Sequence, residues 1–332
     1  MKKISIMITS YNLADYIDKS ISSVICQKKP CEWELLIGDD GSDDGTITKI
    51  KKWQEKYPNN IRYYVNERKQ TTVKDGYRAG KNRASLLEKA NGDYLIFLDG
   101  DDCWLGTEKL VSQFEILEAQ ENTDCSCCAH NIQACVVSED RKYSWLDEKI
   151  PSQKLTLKQY WSYYYFHTNT LLFRKECKEM LLKPLYRMHL NDNLITYIVL
   201  QYGNVYYLDK VWARYNLTGN GLWTGHNKVY GMFRNITLFD LERKICPNLK
   251  YNILKLHYGN ILYLLRHYQE KDYALILPII KPLDPSVFKT TRFLSKVDNI
   301  TLFDRIRKIS LYVEMLFVYL VVHLNNALKI KK

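Results

Sequence analysis

The sequence predicts an α/β protein built on a mainly parallel sheet covered by helices, and two observations lead there. Apolar runs recur through the first hundred residues, ISIMI from Ile4, WELLIG from Trp33, IRYYV from Ile61 and YLIFL from Tyr94, without the polar alternation of a half-exposed strand. Between them lie segments with apolar residues three and four apart, the spacing of a helix with one buried face. Continuous apolar strands separated by helices form a sheet buried on both faces, which is the parallel arrangement.

At 332 residues, 46% hydrophobic and 26% charged, the chain is long enough for one large domain or two ordinary ones, and its composition excludes disorder. The start, MKKISIMITSYN, is basic, but Thr9, Ser10 and Asn12 end its apolar stretch before any cleavage pattern, so it reads as a first strand and not as a signal peptide. The first helix turns Ile17, Ile21, Val24 and Ile25 inward, the second Ile47, Ile50 and Trp53, and a third covers 78–90. Residues 107–120 form the next, with Thr107 as its cap and Leu110, Phe114 and Leu117 on its apolar face. DCSCCAHNI and HTNTLLFRK read as strands, 192–202 as a helix burying Leu194, Ile195, Ile198 and Val199, and VYYLDKVWARY as a strand. From about 226 the chain is helical, Tyr-rich and basic, broken at Pro278, Pro282 and Pro285. Nine cysteines at irregular spacing, with no second CxxC or HxxxH beside Cys125, Cys127 and Cys128, read as reduced thiols of a cytosolic compartment and not as a zinc site.

Three polar segments follow strands: TSYN after the first, DDGSDDGT after the second and DGDD after YLIFL. In parallel sheets, ligands bind beyond the carboxyl ends of the strands, so the three converge on one crevice. DDGSDDGT begins like a calcium loop, but Lys51 stands where a bidentate Glu is required and a strand precedes it. Its glycines suit a tight turn, with Asp44 or Thr46 capping the next helix. Capping does not account for Asp39 and Asp40, nor for Asp99, Asp101 and Asp102, whose mutual repulsion must be offset by a cation, a donor or a ligand. Neither GxGxxG nor GxxxxGK[ST] is present, which leaves a nucleotide held by carboxylates and a divalent cation.

Together TSYN, LLIGDDGSDDGT and YLIFLDGDD resemble glycosyltransferase family 2, strongly over residues 4–105 and more loosely over 165–225. The resemblance implies a GT-A fold, an α/β sheet flanked by helices, with a C-terminal helical extension here. It divides the chain into a glycosyltransferase domain, 1–225, with a nucleotide-binding half 1–102 and an acceptor half 103–225, followed by a basic region 226–332. It implies that Thr9, Tyr11 and Asn12 line the nucleotide pocket, and that Asp40 reads the base with Asp39 beside it. Asp99, Gly100 and Asp101 match the DxD element, implying ribose or metal contact for Asp99 and Mn²⁺ or Mg²⁺ ligation for Asp101, with Asp102 orienting the group or sharing the metal. In KDGYRAGKNRAS, Lys81 and Arg83 fall where the family contacts the diphosphate or sugar, although the order here is Asn82-Arg83.

Asp192 matches the catalytic carboxylate, with Asn191 in place of the usual acidic neighbour; as a helix cap, Asn191 would leave Asp192 free for proton transfer. Trp223, in RYNLTGNGLWTGH, falls in the loop that covers the diphosphate; Asn216 stands where relatives often have His, leaving Asn216 and His226 as two candidates for the metal. His130 and His167 carry no assignment. The implied reaction is inverting transfer from a nucleotide-sugar, with a UDP-sugar favoured, to a saccharide or lipid-linked acceptor of polysaccharide or glycolipid assembly. A sugar nucleotidyltransferase and a non-catalytic membrane scaffold of the same fold are the alternatives.

Residues 1–102 carry 17 basic against 16 acidic side chains, 103–225 carry 13 against 13, and 226–332 carry 18 against 8. The last third therefore meets a different partner from the rest. Its apolar stretch 309–324 is short for a membrane span, contains Glu314, and is bracketed by Arg305, Arg307, Lys308, Lys329, Lys331 and Lys332. It reads as an interfacial helix that holds 305–332 on an anionic membrane surface, on the cytoplasmic face, with a buried core helix and then a true span as the other readings. No helix-turn-helix or zinc-finger pattern accompanies the charge, so nucleic acid is not expected.

Overall fold

Along the first part of the chain run β1 (Lys3–Ser10), α1 (Ile17–Ile25), β2 (Glu32–Asp39), α2 (Thr46–Lys56), β3 (Ile61–Val65), α3 (Arg78–Lys89) and β4 (Tyr94–Asp99). There follow β5 (Cys103–Trp104), α4 (Lys109–Glu118), β6 (Cys125–Val136), β7 (Arg141–Ser144), β8 (Gln153–Leu155), α5 (Leu157–Tyr163), β9 (Leu172–Arg174), α6 (Lys178–Leu181), α7 (Asp192–Val199) and β10 (Asn204–Leu217). The computed structural model describes residues 1–66, 77–144, 150–163, 166–219, 228–296, 309–311, 313 and 316.

The sheet runs β3-β2-β1-β4-β9-β6-β10-β5, with β7 on β6 and β8 on β10. β1 pairs in parallel with β2 and β4, β2 with β3, and β6 with β10; β9 joins the two parallel groups by antiparallel pairing with β4 and β6. This is the mainly parallel, helix-flanked sheet expected from the apolar runs. Ile4, Ile6 and Ile8 of β1, Leu35 and Ile37 of β2, and Ile96 and Leu98 of β4 meet Ile17, Ile21 and Val24 of α1 in one core cluster.

Three local readings are corrected. Thr107 does not cap α4: its hydroxyl turns to the Glu108 carboxylate, and the helix starts at Lys109 without a side-chain cap. In HTNTLLFRK only Leu172–Arg174 is strand, because the Thr170 hydroxyl and the His167 ring draw Thr168–Thr170 into a 3-10 turn through local backbone bonds. Pro278 lies inside a helix instead of ending it, two residues before that helix stops.

The described residues form two compact units, the first within Met1–Thr224 and the second from Gly225. The second contains α8 (Lys228–Ile245), α9 (Lys250–His267), α10 (Tyr273–Ile280) and α11 (Lys289–Leu294). The later three helices pack on α8 or its neighbours around Phe233, Ile236, Leu241, Ile253 and Ile261. Most of 309–324 lies outside the described residues; Ile309, Val313 and Leu316 are exposed. No helix among the described residues is long and apolar enough to cross a membrane.

One polar cluster ties β1, β2, β3 and the entry to β4 together. The Glu34 carboxylate, buried on β2, accepts from Lys3 Nζ (2.8 Å), Ser5 Oγ (2.6 Å), Arg62 Nη2 (2.6 Å) and the Asn91 backbone N–H (2.9 Å). Burial raises its pKa, but the bonds from Lys3, Ser5 and Asn91 outweigh that and hold it below the ordinary value of 4.5. Its stabilising contribution is therefore complete above pH 4.5 and lost as pH falls through the lower folded-state value. Urea unfolding of Glu34→Gln at pH 7 is expected to show a loss of about 2 kcal/mol, the scale of a buried charge-assisted network broken on one side. The gap to wild type should narrow as the pH is lowered below 4; a gap that stays constant down to pH 3 would remove the charge from the explanation.

Candidate active site

Parallel pairing without slippage brings the ends of three strands to one edge. Thr9 lies opposite Gly38 on β2 and Asp99 on β4, and Ser10 opposite Asp39. The Thr9 hydroxyl donates to Asp99 Oδ1 (2.7 Å), and the Gly100 N–H donates to the Thr9 carbonyl (2.8 Å). Gly100 permits that approach: a Cβ there would stand 2.8 Å from the Thr9 carbonyl oxygen and 2.9 Å from the Leu13 side chain.

The first two polar loops are tied to each other. Asp39 is fully buried and spends its carboxylate on its own turn, accepting from the Gly41 and Ser42 N–H groups (3.0 and 2.7 Å) and the Ser42 hydroxyl (2.6 Å). Asn12, in the left-handed region at φ 50°, donates its N–H to Ser42 Oγ (2.8 Å) and accepts from the Asp43 N–H (3.1 Å). Asp44 accepts from the Ala14 and Thr46 N–H groups and so ties the turn before α2 to the first loop, but the N-cap is Gly45, in the left-handed region, and the helix starts without the side-chain cap expected from Asp44 or Thr46. Asp40 is gripped by Arg78, Nε to Oδ2 at 2.6 Å and Nη2 to Oδ1 at 2.9 Å. Tyr11 is exposed beside this wall.

Helix α3 presents Arg83 to the third loop. Its Nη2 donates to both oxygens of Asp99 (2.7 and 2.8 Å) and its Nη1 to the Leu190 carbonyl (3.1 Å), so the guanidinium is mostly buried against the acidic group. Asn82 is used inside the fold, donating to the Gly38 carbonyl (2.8 Å), whereas Lys81 is exposed.

Asp102 is buried and held by two donors, the Asn216 N–H on Oδ1 (2.8 Å) and Asn169 Nδ2 on Oδ2 (3.0 Å). The Asn216 side chain donates to the Asp101 carbonyl (2.6 Å). Burial, and then the neighbouring carboxylate of Asp99, push the Asp101 carboxyl up to about 6. Burial, then Asp101 and Asp99, push Asp102 well above the ordinary range.

His167 closes the group from the 3-10 turn. Its Nε2 lies 4.0 Å from Asp102 Oδ2 and 3.7 Å from Asp192 Oδ2, and its ring packs on Tyr215 at 4.7 Å between centroids. Its Nδ1 accepts the Asn169 N–H at 3.4 Å, so the neutral ring carries its proton on Nε2, facing both carboxylates. Asn191 caps α7, its Oδ1 accepting from the Leu194 N–H (3.0 Å), as the sequence suggested. Asp192 instead takes the Thr168 hydroxyl on Oδ1 (2.9 Å).

Ligand atoms of Asp99, Asp102 and His167 all lie within 4.8 Å of one another. This donor set fits a divalent cation. Hard carboxylate oxygens with one imidazole suit Mn²⁺ better than calcium, and a cation would offset the charge that drives Asp101 and Asp102 upward; ligation through Nε2 displaces its proton. Asp101, the ligand implied by the DxD match, does not join this trio, and His167, left unassigned in the sequence, does. Trp223 and His226 lie outside the described residues.

Residues 5–181 match the family described as glycosyl transferase family 2. The chain belongs to that family. It is 37% identical over 115 residues to the putative teichuronic acid biosynthesis glycosyltransferase TuaG of Bacillus subtilis, covering 34% of this chain and 41% of that protein. It is 32% identical over 121 residues to the poly(ribitol-phosphate) beta-glucosyltransferase of Bacillus spizizenii, covering 36% and 18%. Those matches therefore span less than half the length of the curated relatives. Among solved structures, S. aureus TarS 1-349 in complex with UDP-GlcNAc matches with a TM-score of 0.62 at 19% identity, covering 94% of this chain and 89% of that one. The mannosyltransferase PcManGT of Pyrobaculum calidifontis, in complex with GDP-Man and Mn²⁺, matches at 0.50 and 14%, covering 88% and 84%. The fold is thus that of the GT-A glycosyltransferases.

The trio and the DxD pair make different demands on binding. Mn²⁺ titration followed by electron paramagnetic resonance is expected to show at least tenfold weaker binding for Asp102→Ala and for His167→Ala, and a smaller loss for Asp101→Ala. The reverse order would return the metal to Asp99 and Asp101.

Proposed function

We propose that this family 2 protein transfers a sugar from a nucleotide-sugar, a UDP-sugar, to a hydroxyl of a cell-surface polymer or lipid-linked saccharide, with inversion at the anomeric carbon. The observation that carries this reading is the juxtaposition of Asp99, Asp102 and His167 with Asp192 at the carboxyl edge of the sheet. The donor class is supported by TarS, solved with UDP-GlcNAc and with UDP. The acceptor class is supported by relatives named for teichuronic acid, poly(ribitol-phosphate) and, in the E. coli WfgD glucosyltransferase, GlcNAc-diphosphoundecaprenol.

In this reading Thr9, Tyr11 and Asn12 border the nucleotide, Asp40 faces its base, and Lys81 contacts the diphosphate. Asp99, Asp102 and His167 would hold Mn²⁺ or Mg²⁺, which supplies positive charge to the departing diphosphate. Asp192 takes the proton of the acceptor hydroxyl while that oxygen bonds to the anomeric carbon and the bond from that carbon to the diphosphate breaks. Thr168 fixes one oxygen of Asp192, and Asn191 has already met the helix N–H that would otherwise claim it. Inversion follows from a single displacement with one base. Placement on the cytoplasmic membrane face goes with a lipid-linked or anionic acceptor and with the basic excess of 226–332.

The test is calorimetric titration of UDP, GDP and CMP with and without Mn²⁺, followed by UDP-sugar turnover. UDP is expected to bind in a metal-dependent manner. Asp192→Asn is expected to keep that binding and lose roughly 10²- to 10⁴-fold in kcat, the usual worth of a general base. Equal loss of UDP binding and turnover would make Asp192 a structural carboxylate, and pyrophosphate release from a nucleoside triphosphate would favour a nucleotidyltransferase.

A further inference from the structure

A cavity of about 420 Å³ opens in the C-terminal unit, where the last turn of α8 meets the start of α11. Arg243, Lys244 and Lys289 line it together with Asp240, Ser286, Val287 and Thr290. Arg243 and Lys244 have an ordinary account, since cations complement the C-terminal end of a helix. Lys289 has none of that kind: it is the first residue of α11, where a cation opposes the helix dipole.

The carboxylates near the cavity are already engaged. Asp240 accepts the Thr290 N–H on Oδ1 (3.1 Å) and the Thr291 N–H and hydroxyl on Oδ2 (both 2.8 Å). Asp284 turns an oxygen to the Ser286 N–H (2.8 Å) and lies in the field of Lys244 and Arg292. Among the described residues, Arg243, Lys244 and Lys289 make no ion pair with any carboxylate, whereas buried Glu242, one residue before Arg243, is paired with His257 at 2.7 Å. Three cations from two elements thus line one open cavity without an ion pair of their own, beside Asp240 and near Asp284, whose oxygens are taken up by Thr290, Thr291 and Ser286.

We propose that this cavity binds a phosphate group, and that its carrier is the phosphodiester backbone of the anionic acceptor. Charge-assisted bonds from Arg and Lys are the chemistry that recognises phosphate. Only the identity of the carrier rests on the acceptor reading given above; the phosphate site itself does not.

The experiment is calorimetry on the full chain at low salt with inorganic phosphate and with a synthetic glycerol-phosphate hexamer. Wild type should bind both, the hexamer more tightly, and Arg243→Gln/Lys289→Gln should weaken both at least tenfold. Lys281→Gln/Lys296→Gln, which removes the same charge from exposed lysines of the same unit, should change neither, and UDP affinity should be equal in all three. Thermal midpoints check folding, with Lys289→Gln alone as the milder variant. Equal weakening by both double variants, or none by the first, would overturn the site. Absence of hexamer binding, with binding to phosphatidylcholine vesicles containing phosphatidylglycerol lost in the first variant, would overturn the acceptor as carrier. Loss of metal-dependent UDP binding in wild type with phosphate binding intact would instead strike the transferase reading.

Discussion

Three carboxylates within four positions, at the end of a strand whose other residues are buried, set the constraint that the surrounding structure answers. Their repulsion grows as water is excluded, and burial and mutual charge drive Asp101 and Asp102 upward. The fold supplies a different answer to each. Arg83 and the Thr9 hydroxyl neutralise Asp99 from α3 and β1. Asn216 and Asn169 satisfy both oxygens of Asp102 from β10 and the turn before β9. Asp101 is held through its carbonyl by the Asn216 side chain. Elements distant in the chain are thus drawn to one point by a charge that local structure cannot relieve, and what remains unrelieved is the share that a cation would take under the proposed function.

The fold was legible because its signals are local and repeated. Apolar runs without alternation mark strands buried on both faces, and β1 to β4 appear where those runs fall, with the intervening helices turned inward on the residues their spacing selects. The Asn191 cap was legible for the same reason, since capping needs only the neighbouring backbone. The same locality misled at Thr107, where the Glu108 carboxylate competes for the hydroxyl, and in HTNTLLFRK, where polar side chains bond to their own backbone and shorten a strand to three residues.

The site was legible as motifs but not as a set. Asp99 was found because it ends an apolar strand. His167 gave no signal: its value comes from a turn that brings it beside Asp102 and Asp192, 65 and 25 positions away in the sequence. Arg78 was equally silent before it met Asp40. Asn216 shows this most clearly. Its side chain donates to the Asp101 carbonyl and its backbone N–H to Asp102, and the imidazole beside these carboxylates is that of His167, on the turn that also supplies Thr168 to Asp192.

That turn owes its position to a polar chain inside the core. Lys109 is fully buried at the start of α4, its amine over the Trp104 ring at 4.6 Å and donating to Gln113. Burial lowers its pKa well below the ordinary value, so the group tends toward a neutral donor and spares the core an isolated charge. Gln113 then donates to the Cys128 carbonyl (2.7 Å) and the Thr170 carbonyl (2.8 Å), linking α4 to β6 and to the end of the turn. Trp104 donates to the Asn169 carbonyl (3.1 Å), and Asn169 in turn holds Asp102. A helix that supplies none of the candidate ligands, together with Trp104 of β5, therefore sets where two of them stand. Buried polar groups are costly unless each is matched, and here the matching fixes the distance between the carboxylate and the imidazole.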